Sequence, residues 1–194
     1  GWRHTSNFND TSNRYRKYSL QWQRHQQITD QWKRILLLKY EREKDDTQSA
    51  TRTHLIPGFS YIRERRIGGI TPNWGDRQFI QVEVSDKAWG SQSSFYKLSL
   101  RSNWLRQFNK THQILLKLDA GYINASDIND VPISMRFFAG GDNNLRAYDY
   151  NSVSPLDSDN KSRGALTQLL GTIEYSYPVK DKWRLAIFHD VVIT

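Results

Sequence analysis

Apolar and polar residues alternate with a period of two along most of this chain. The alternation is clearest in 80–85, 96–104 and 114–122, where every second residue except Ser102 is apolar. The pattern recurs in 18–23, 32–43, 55–66, 169–177 and 183–190. Side chains of a β-strand point alternately to two faces, so this spacing predicts about eight strands. On a helix the intervening charges would lie on every side, and no segment predicts a helix.

The linkers between these segments also suggest a class of sheet. Short turns are predicted at 29–31, 109–111 and 180–182, and longer loops at 45–52 and 67–76. Aromatic residues lie near the segment ends: Trp22, Trp32, Tyr96, Trp104, Tyr122, Tyr177 and Trp183. Short turns, longer loops and terminal aromatics favour an all-β, antiparallel transmembrane β-barrel. A soluble sheet with one polar face alternates in the same way and stays open as an alternative.

Composition and charge are compatible with both the transmembrane β-barrel and the soluble sheet. Seven Trp, ten Tyr and eight Phe among 194 residues argue against disorder, although only 37% of the residues are hydrophobic. No run of about 18 apolar residues occurs, which excludes a transmembrane helix but not a barrel strand of about ten residues. The net charge of +8 also suits a soluble basic module that binds nucleic acid or another polyanion. That alternative places Arg63, Arg65, Arg66, Lys97 and Arg101 on one exposed face.

One long loop, predicted at 123–163, interrupts the alternation. It contains Arg136–Tyr150, with the sequence RFFAGGDNNLRAYDY. The adjacent glycines Gly140 and Gly141 permit backbone angles that are closed to other residues. The aromatic residues on both sides give the loop apolar surface to bury. Arg146 lies among them, and an enclosed arginine needs a carboxylate partner.

Three motifs between Met135 and Asp190 resemble the Omp85 superfamily. The segment 145–148, Leu-Arg-Ala-Tyr, is similar to a Val-Arg-Gly-Tyr/Phe tetrapeptide in the sixth extracellular loop, which in that family folds back into the barrel lumen. The segment 171–178 resembles the family's Gly-x-x-Glu-Tyr-x-Tyr-Pro strand, and 188–190 resembles its Phe-x-Asp motif. Three motifs in the family's order and spacing make the resemblance specific.

The resemblance implies a set of residues that holds the loop tip inside the barrel. These are Gly140, Gly141, Asp142, Arg146, Tyr148, Glu174, Phe188 and Asp190. It implies that Arg146 pairs with Glu174 and Asp190, and that Phe188 packs on the guanidinium. The alternation independently places both carboxylates on polar strand faces. Ala147 stands where the family has glycine, so we expect the tip to be retained with altered geometry.

The same resemblance implies a function and a setting. Residues 1–194 would form part of a C-terminal barrel domain of about sixteen strands, with POTRA domains and the terminal strands outside this chain. The barrel subunit of the translocation and assembly module is the most similar subfamily, and the barrel-assembly machinery subunit is the close runner-up. We expect a bacterial outer-membrane insertase or translocase with no enzymatic activity, cofactor or metal.

The expected partners follow from that role. They are outer-membrane lipid and lipopolysaccharide, unfolded outer-membrane proteins or autotransporters as clients, and an inner-membrane-anchored partner, but no nucleic acid. A two-partner-secretion transporter and a porin-type pore stay open as alternatives. In a porin the sixth loop would not seal the lumen.

Overall fold

The computed structural model describes residues 2–3, 8–9, 14–45, 51–69, 72–109, 111–141, 145–158, 160, 162–180 and 183–194. Within these ranges eight long strands form one sheet: β1 (Arg14–Gln27), β2 (Trp32–Asp45), β3 (Thr51–Ile67), β4 (Trp74–Ser85), β5 (Phe95–Phe108), β6 (His112–Ala125), β7 (Thr167–Lys180) and β8 (Trp183–Ile193). Each strand pairs antiparallel with the next in sequence. The dipeptides Trp2–Arg3 and Phe8–Asn9 pair with β1. Single 3-10 turns occur at Lys87–Trp89, Ile128–Asp130 and Ile133–Met135.

The strand order confirms the predicted antiparallel all-β fold of about eight strands and corrects one loop. Pairing between β3 and β4 continues to Ile67 and Trp74, so the connection predicted at 67–76 is shorter. It lies at the end of the sheet where β1 joins β2, β5 joins β6 and β7 joins β8, which we call the turn end. The opposite end, the loop end, carries the connections from β2 to β3, from β4 to β5 and from β6 to β7.

Burial in this sheet is inverted relative to a soluble sheet. On one face, Trp22, Ile80 and Ile187 are 57%, 43% and 71% exposed. On the other face, Glu41 and Glu83 are each 3% exposed. We call these the outer face and the inner face. A soluble sheet buries its apolar face, whereas a membrane barrel turns that face to lipid and keeps polar side chains inside. The inversion therefore favours the membrane barrel over the soluble sheet.

The segment between β6 and β7 spans residues 126–166, and described residues in it contact the inner face. We call it the long loop. Its bounds differ from the predicted 123–163 because β6 continues to Ala125 and β7 begins only at Thr167. Val131 and Met135 of the long loop pack in a buried cluster with Ile56 of β3, Phe95 of β5 and Ile123 of β6. The apolar core thus joins the loop to three strands. Among the described residues, no helix has the length and hydrophobicity needed to span a membrane.

Candidate functional site

The backbone of the long loop folds on itself around the glycine pair. Ala139 pairs with Val153, and Gly141 pairs with Leu145. Gly140 and Gly141 have φ angles of 117° and 103°, a backbone conformation that residues with a Cβ atom rarely adopt. A Cβ atom on Gly140 would also lie 2.0 Å from the carbonyl oxygen of Asp149. Glycine is therefore required at position 140 both by the backbone conformation and by the lack of space for a side chain.

The loop tip is held to the inner face by Arg146. Its Nη1 donates to Glu174 Oε2 at 2.9 Å. Its Nε and Nη2 donate to the two carboxylate oxygens of Asp190 at 3.1 and 3.2 Å. The guanidinium carbon lies 3.4 Å from the centroid of the Phe188 ring. We call Arg146, Glu174, Phe188 and Asp190 the tip anchor.

Strand pairing explains why the two carboxylates converge. Glu174 of β7 pairs directly with Phe188 of β8, and Asp190 lies two residues further along β8 on the same face. Because side chains two residues apart point the same way, one guanidinium reaches both carboxylates and the ring between them. The hydrogen bond to Asp190, supported by a weaker one to Glu174, raises the pKa of Arg146. The arginine therefore stays charged in this setting.

The other predicted tip residues behave differently. The Tyr148 side chain is 56% exposed and does not join the anchor, although its carbonyl accepts the Gly141 N–H at 2.9 Å. Asp142 lies outside the described residues. Ala147 has no positive φ, so alanine causes no strain where the family has glycine. The expected change of geometry at the tip is not needed to accommodate this side chain.

A second contact region holds the first part of the long loop. The Glu43 carboxylate, 3% exposed, accepts the N–H groups of Ile133 and Ser134 at 2.9 and 3.3 Å. Lys17 Nζ donates to Ser134 Oγ at 3.2 Å and lies 2.8 Å from Glu41. We call Glu43, Lys17 and Lys97 the turn anchor, because they hold the 3-10 turn Ile133–Met135.

Lys97 completes the turn anchor from β5. Its Nζ donates to the Met135 carbonyl at 2.6 Å and lies 4.5 Å from the centroid of the Phe137 ring. The same ring covers Gly121 of β6, where an added Cβ would meet ring atoms at 2.3 Å. Phe137 therefore fits only because β6 presents no side chain at this position.

The turn anchor was not predicted from the sequence, although two signals point toward it. Ile56 and Ile123 are apolar at positions that the alternation assigns to the polar face. Apolar side chains on a lumenal face need an apolar cover. Their position thus marks where the loop would pack, but the pattern does not say which loop residues provide the cover.

The basic residues proposed as one exposed polyanion surface lie on both faces of the sheet. Arg63 pairs with Gln78, which pairs with Ser102, so Arg63 shares the outer face with Ser102 rather than with Arg101. Lys97 points to the inner face, where it contacts the long loop. The single basic face required by the polyanion-binding alternative is therefore not formed.

These features define a class of protein. An antiparallel sheet with an exposed apolar face, a polar inner face and a long loop packed on that inner face forms the wall of a transmembrane β-barrel.

The chain belongs to the Omp85 superfamily, because the family's model, the Omp85 superfamily domain, matches residues 1–192. Among solved structures, it is similar to BamA from Haemophilus ducreyi lacking POTRA domains 1–3, with a TM-score of 0.78 and 16% sequence identity. That match covers 93% of this chain and 42% of the BamA chain. At this identity it shows a shared fold, and the chain spans less than half of the matched protein.

Proposed function

We propose that this chain is part of the barrel of a bacterial outer-membrane insertase or translocase, which assembles other outer-membrane proteins without enzymatic chemistry. The observation that carries the proposal is the ion pairing of Arg146 with Glu174 and Asp190, which holds a long loop across the inner face. A diffusion pore keeps a polar, water-filled passage along that face. A loop held there at two regions suits a barrel whose passage is controlled.

The finer assignment concerns the subfamily and the partners. The glycine pair and the residues after Arg146 favour the barrel subunit of the translocation and assembly module, with the barrel-assembly machinery subunit as the runner-up. The clients would be unfolded outer-membrane proteins, autotransporters in particular. An inner-membrane-anchored partner and lipopolysaccharide complete the proposed set of partners.

The proposed physical route is strand templating. A weakly paired strand edge in the complete barrel offers unsatisfied N–H and C=O groups to an incoming client strand, which pairs by β-augmentation. The eight described strands would then act as the rigid part of the wall. The tip anchor would hold the loop while the client strand forms.

The test is client folding by the complete protein in phospholipid vesicles. An unfolded autotransporter barrel is added, and its folding is followed by the shift in electrophoretic mobility that folded barrels show without heating. We expect faster folding than in vesicles without the protein, and a reduced rate for Arg146→Ala. A steady open conductance in the unmodified protein, unchanged by Arg146→Ala and without faster client folding, would favour a porin instead.

A further inference from the structure

Arginine side chains form a row on the outer face near the turn end. Its members lie on four strands of the sheet: Arg24 on β1, Arg34 on β2, Arg63 and Arg65 on β3, and Arg106 on β5. We call these residues the arginine row. The pairing of Arg34 with Tyr61 and of Trp74 with Arg106 places the row on the face that carries the exposed apolar residues. None of the row is part of the contacts that hold the long loop.

Tryptophan rings support the guanidinium groups of the row. Arg63 lies 5.7 Å from the ring centroid of Trp32. Arg65 and Arg106 lie 5.1 and 4.6 Å from the ring centroid of Trp74. Such stacking orients a guanidinium while leaving donor groups at its edge. Tryptophan also prefers the interface between hydrocarbon and headgroups, so the pairs suit that depth of a bilayer.

The carboxylate that contacts the arginine row does not neutralise all of its positive charge. Asp76 of β4, whose side chain is 3% exposed, accepts from Arg65 Nε at 2.9 Å and lies 4.0 Å from Arg106 Nη2. Arg34 instead donates to the neutral side chain of Gln26 at 2.6 and 3.0 Å. The row contains five arginines, which outnumber this carboxylate. A complementary ligand would therefore be anionic.

The height of the apolar surface places the row at the level of lipid headgroups. On β1 the outward apolar residues run from Tyr18 to Trp22, about 14 Å along the strand. On β8 they run from Trp183 to Ile193, about 34 Å, with His189 among them. Charged side chains facing lipid are most unfavourable at the bilayer midplane and are tolerated near the interfaces. The apolar band on β1 thus ends early, where Arg24 begins the row.

We propose that the arginine row binds the phosphate groups of anionic phospholipids in the leaflet at the turn end. Guanidinium groups match phosphate oxygens with paired hydrogen bonds, as they do carboxylates, and the position of the row at headgroup depth favours the phosphate. Short turns of outer-membrane barrels face the periplasm, so this leaflet is the phospholipid side. The row is continuous with the exposed apolar residues of the same strands, as expected for a lipid rather than a protein partner. The inference rests on the proposed membrane-spanning function.

The experiment measures which lipids stay with the complete protein. The protein is inserted into vesicles of phosphatidylcholine containing phosphatidylglycerol, extracted in mild detergent, and its bound lipids are quantified by mass spectrometry. The test variant combines Arg24→Gln, Arg34→Gln and Arg63→Gln. The matched control combines Arg16→Gln, Arg42→Gln and Lys44→Gln, which remove equal charge from the outer face of β1 and β2 at the loop end.

We expect the unmodified protein and the control to enrich phosphatidylglycerol over its share in the vesicle. We expect the test variant to lose about tenfold or more of that enrichment, since a single charge-assisted hydrogen bond to a phosphate contributes about that factor. Unchanged enrichment in the test variant overturns the inference. An equal loss in both variants also overturns it, because general charge attraction would then suffice. If the triple variant does not insert, Arg24→Gln alone must lower the enrichment, and no decrease overturns the inference.

A separate readout distinguishes this inference from the proposed function. Insertion of the unmodified protein into pure phosphatidylcholine is checked by its heat-dependent mobility. If the protein inserts into pure phosphatidylcholine but shows no phosphatidylglycerol enrichment in the mixed vesicles, only the lipid site is contradicted. Failure of the unmodified protein to insert into either kind of vesicle contradicts the membrane-spanning function itself.

Discussion

The tip anchor and the turn anchor hold the same loop by different physical means. At the tip, Arg146 and Glu174 are about a quarter exposed, and charge pairing supplies the attraction. At the turn anchor, Glu43 is almost fully buried and caps two backbone N–H groups beside an apolar cluster. Solvent weakens the first kind of contact more than the second. The difference suggests that the tip can be released by a change of charge, while the first part of the loop stays packed.

The largest expected effect is loss of the tip anchor through Arg146→Ala. The substitution leaves Asp190, 6% exposed, without its cationic partner. We expect a loss of about 3 kcal/mol in the free energy of unfolding, the low end for breaking a buried pair, because two of the three groups are partly solvated. Urea unfolding of the complete protein in vesicles measures it.

The matched control for that change is Arg101→Ala on the same inner face. Arg101 pairs with Asp119 at 3.0 Å, but the two side chains are 59% and 30% exposed. Such an open pair contributes at most about 1 kcal/mol. Equal losses from the two substitutions would show that Arg146 has no special role in holding the tip.

The next effect tests the turn anchor through Glu43→Ala. The N–H groups of Ile133 and Ser134 lose their acceptor in a buried setting, so we expect a loss of about 2 kcal/mol. Limited proteolysis should then cut the long loop near 133, while the tip remains protected. Glu64→Ala, at an exposed inner-face position of β3, is the control. Cleavage first at the tip would reverse the roles assigned to the two anchors.

A smaller effect is expected where the loop approaches the strand backbone, at Gly121. Gly121→Ala forces the Phe137 ring away from β6 and should destabilise the protein by about 1 to 2 kcal/mol, as overpacking commonly does. Gly171→Ala on β7 adds a methyl group where no atom lies within 4 Å. Thermal unfolding of the two variants compares them. A larger effect at Gly171 than at Gly121 is the result that this packing does not permit.

The smallest effect concerns Ala147→Gly, which restores the family's residue in the tip. Because Ala147 has no positive φ, glycine relieves no strain there. It only increases the conformational entropy of the unfolded chain. We expect a loss of about 0.5 kcal/mol, measured by urea unfolding. A gain in stability of 1 kcal/mol or more would mean that alanine is strained in the tip after all.

The sequence predicts one of these anchors and misses the other for a physical reason. Arg146, Glu174 and Asp190 belong to short motifs on neighbouring strands, and period-two alternation places both carboxylates on polar faces. Glu43 follows the same alternation, so its face is predictable. Its partners are not, because they lie about ninety residues later in a segment without periodicity. Their meeting depends on how the loop packs against Ile56 and Ile123, which no local pattern encodes.

The fold shows a similar division. Strand number, antiparallel order and outer-face residues follow from alternation, as Ile80 and Ile187 illustrate. The start of β4 at Trp74 does not, because Gly75 and Asp76 lie in the segment 67–76 that the pattern assigns to a loop. Pairing of Ile67 with Trp74 and stacking of Arg65 on Trp74 begin β4 within that segment.

A double-mutant cycle between Arg146 and Asp190 tests the central claim most directly. Arg146→Ala, Asp190→Ala and the double variant are unfolded with urea in the complete protein inserted into vesicles. If the pair holds the loop tip, the double variant loses less stability than the sum of the single changes, with a coupling of about 1.5 to 3 kcal/mol. Additive losses, with a coupling within about 0.3 kcal/mol of zero, would contradict the tip anchor.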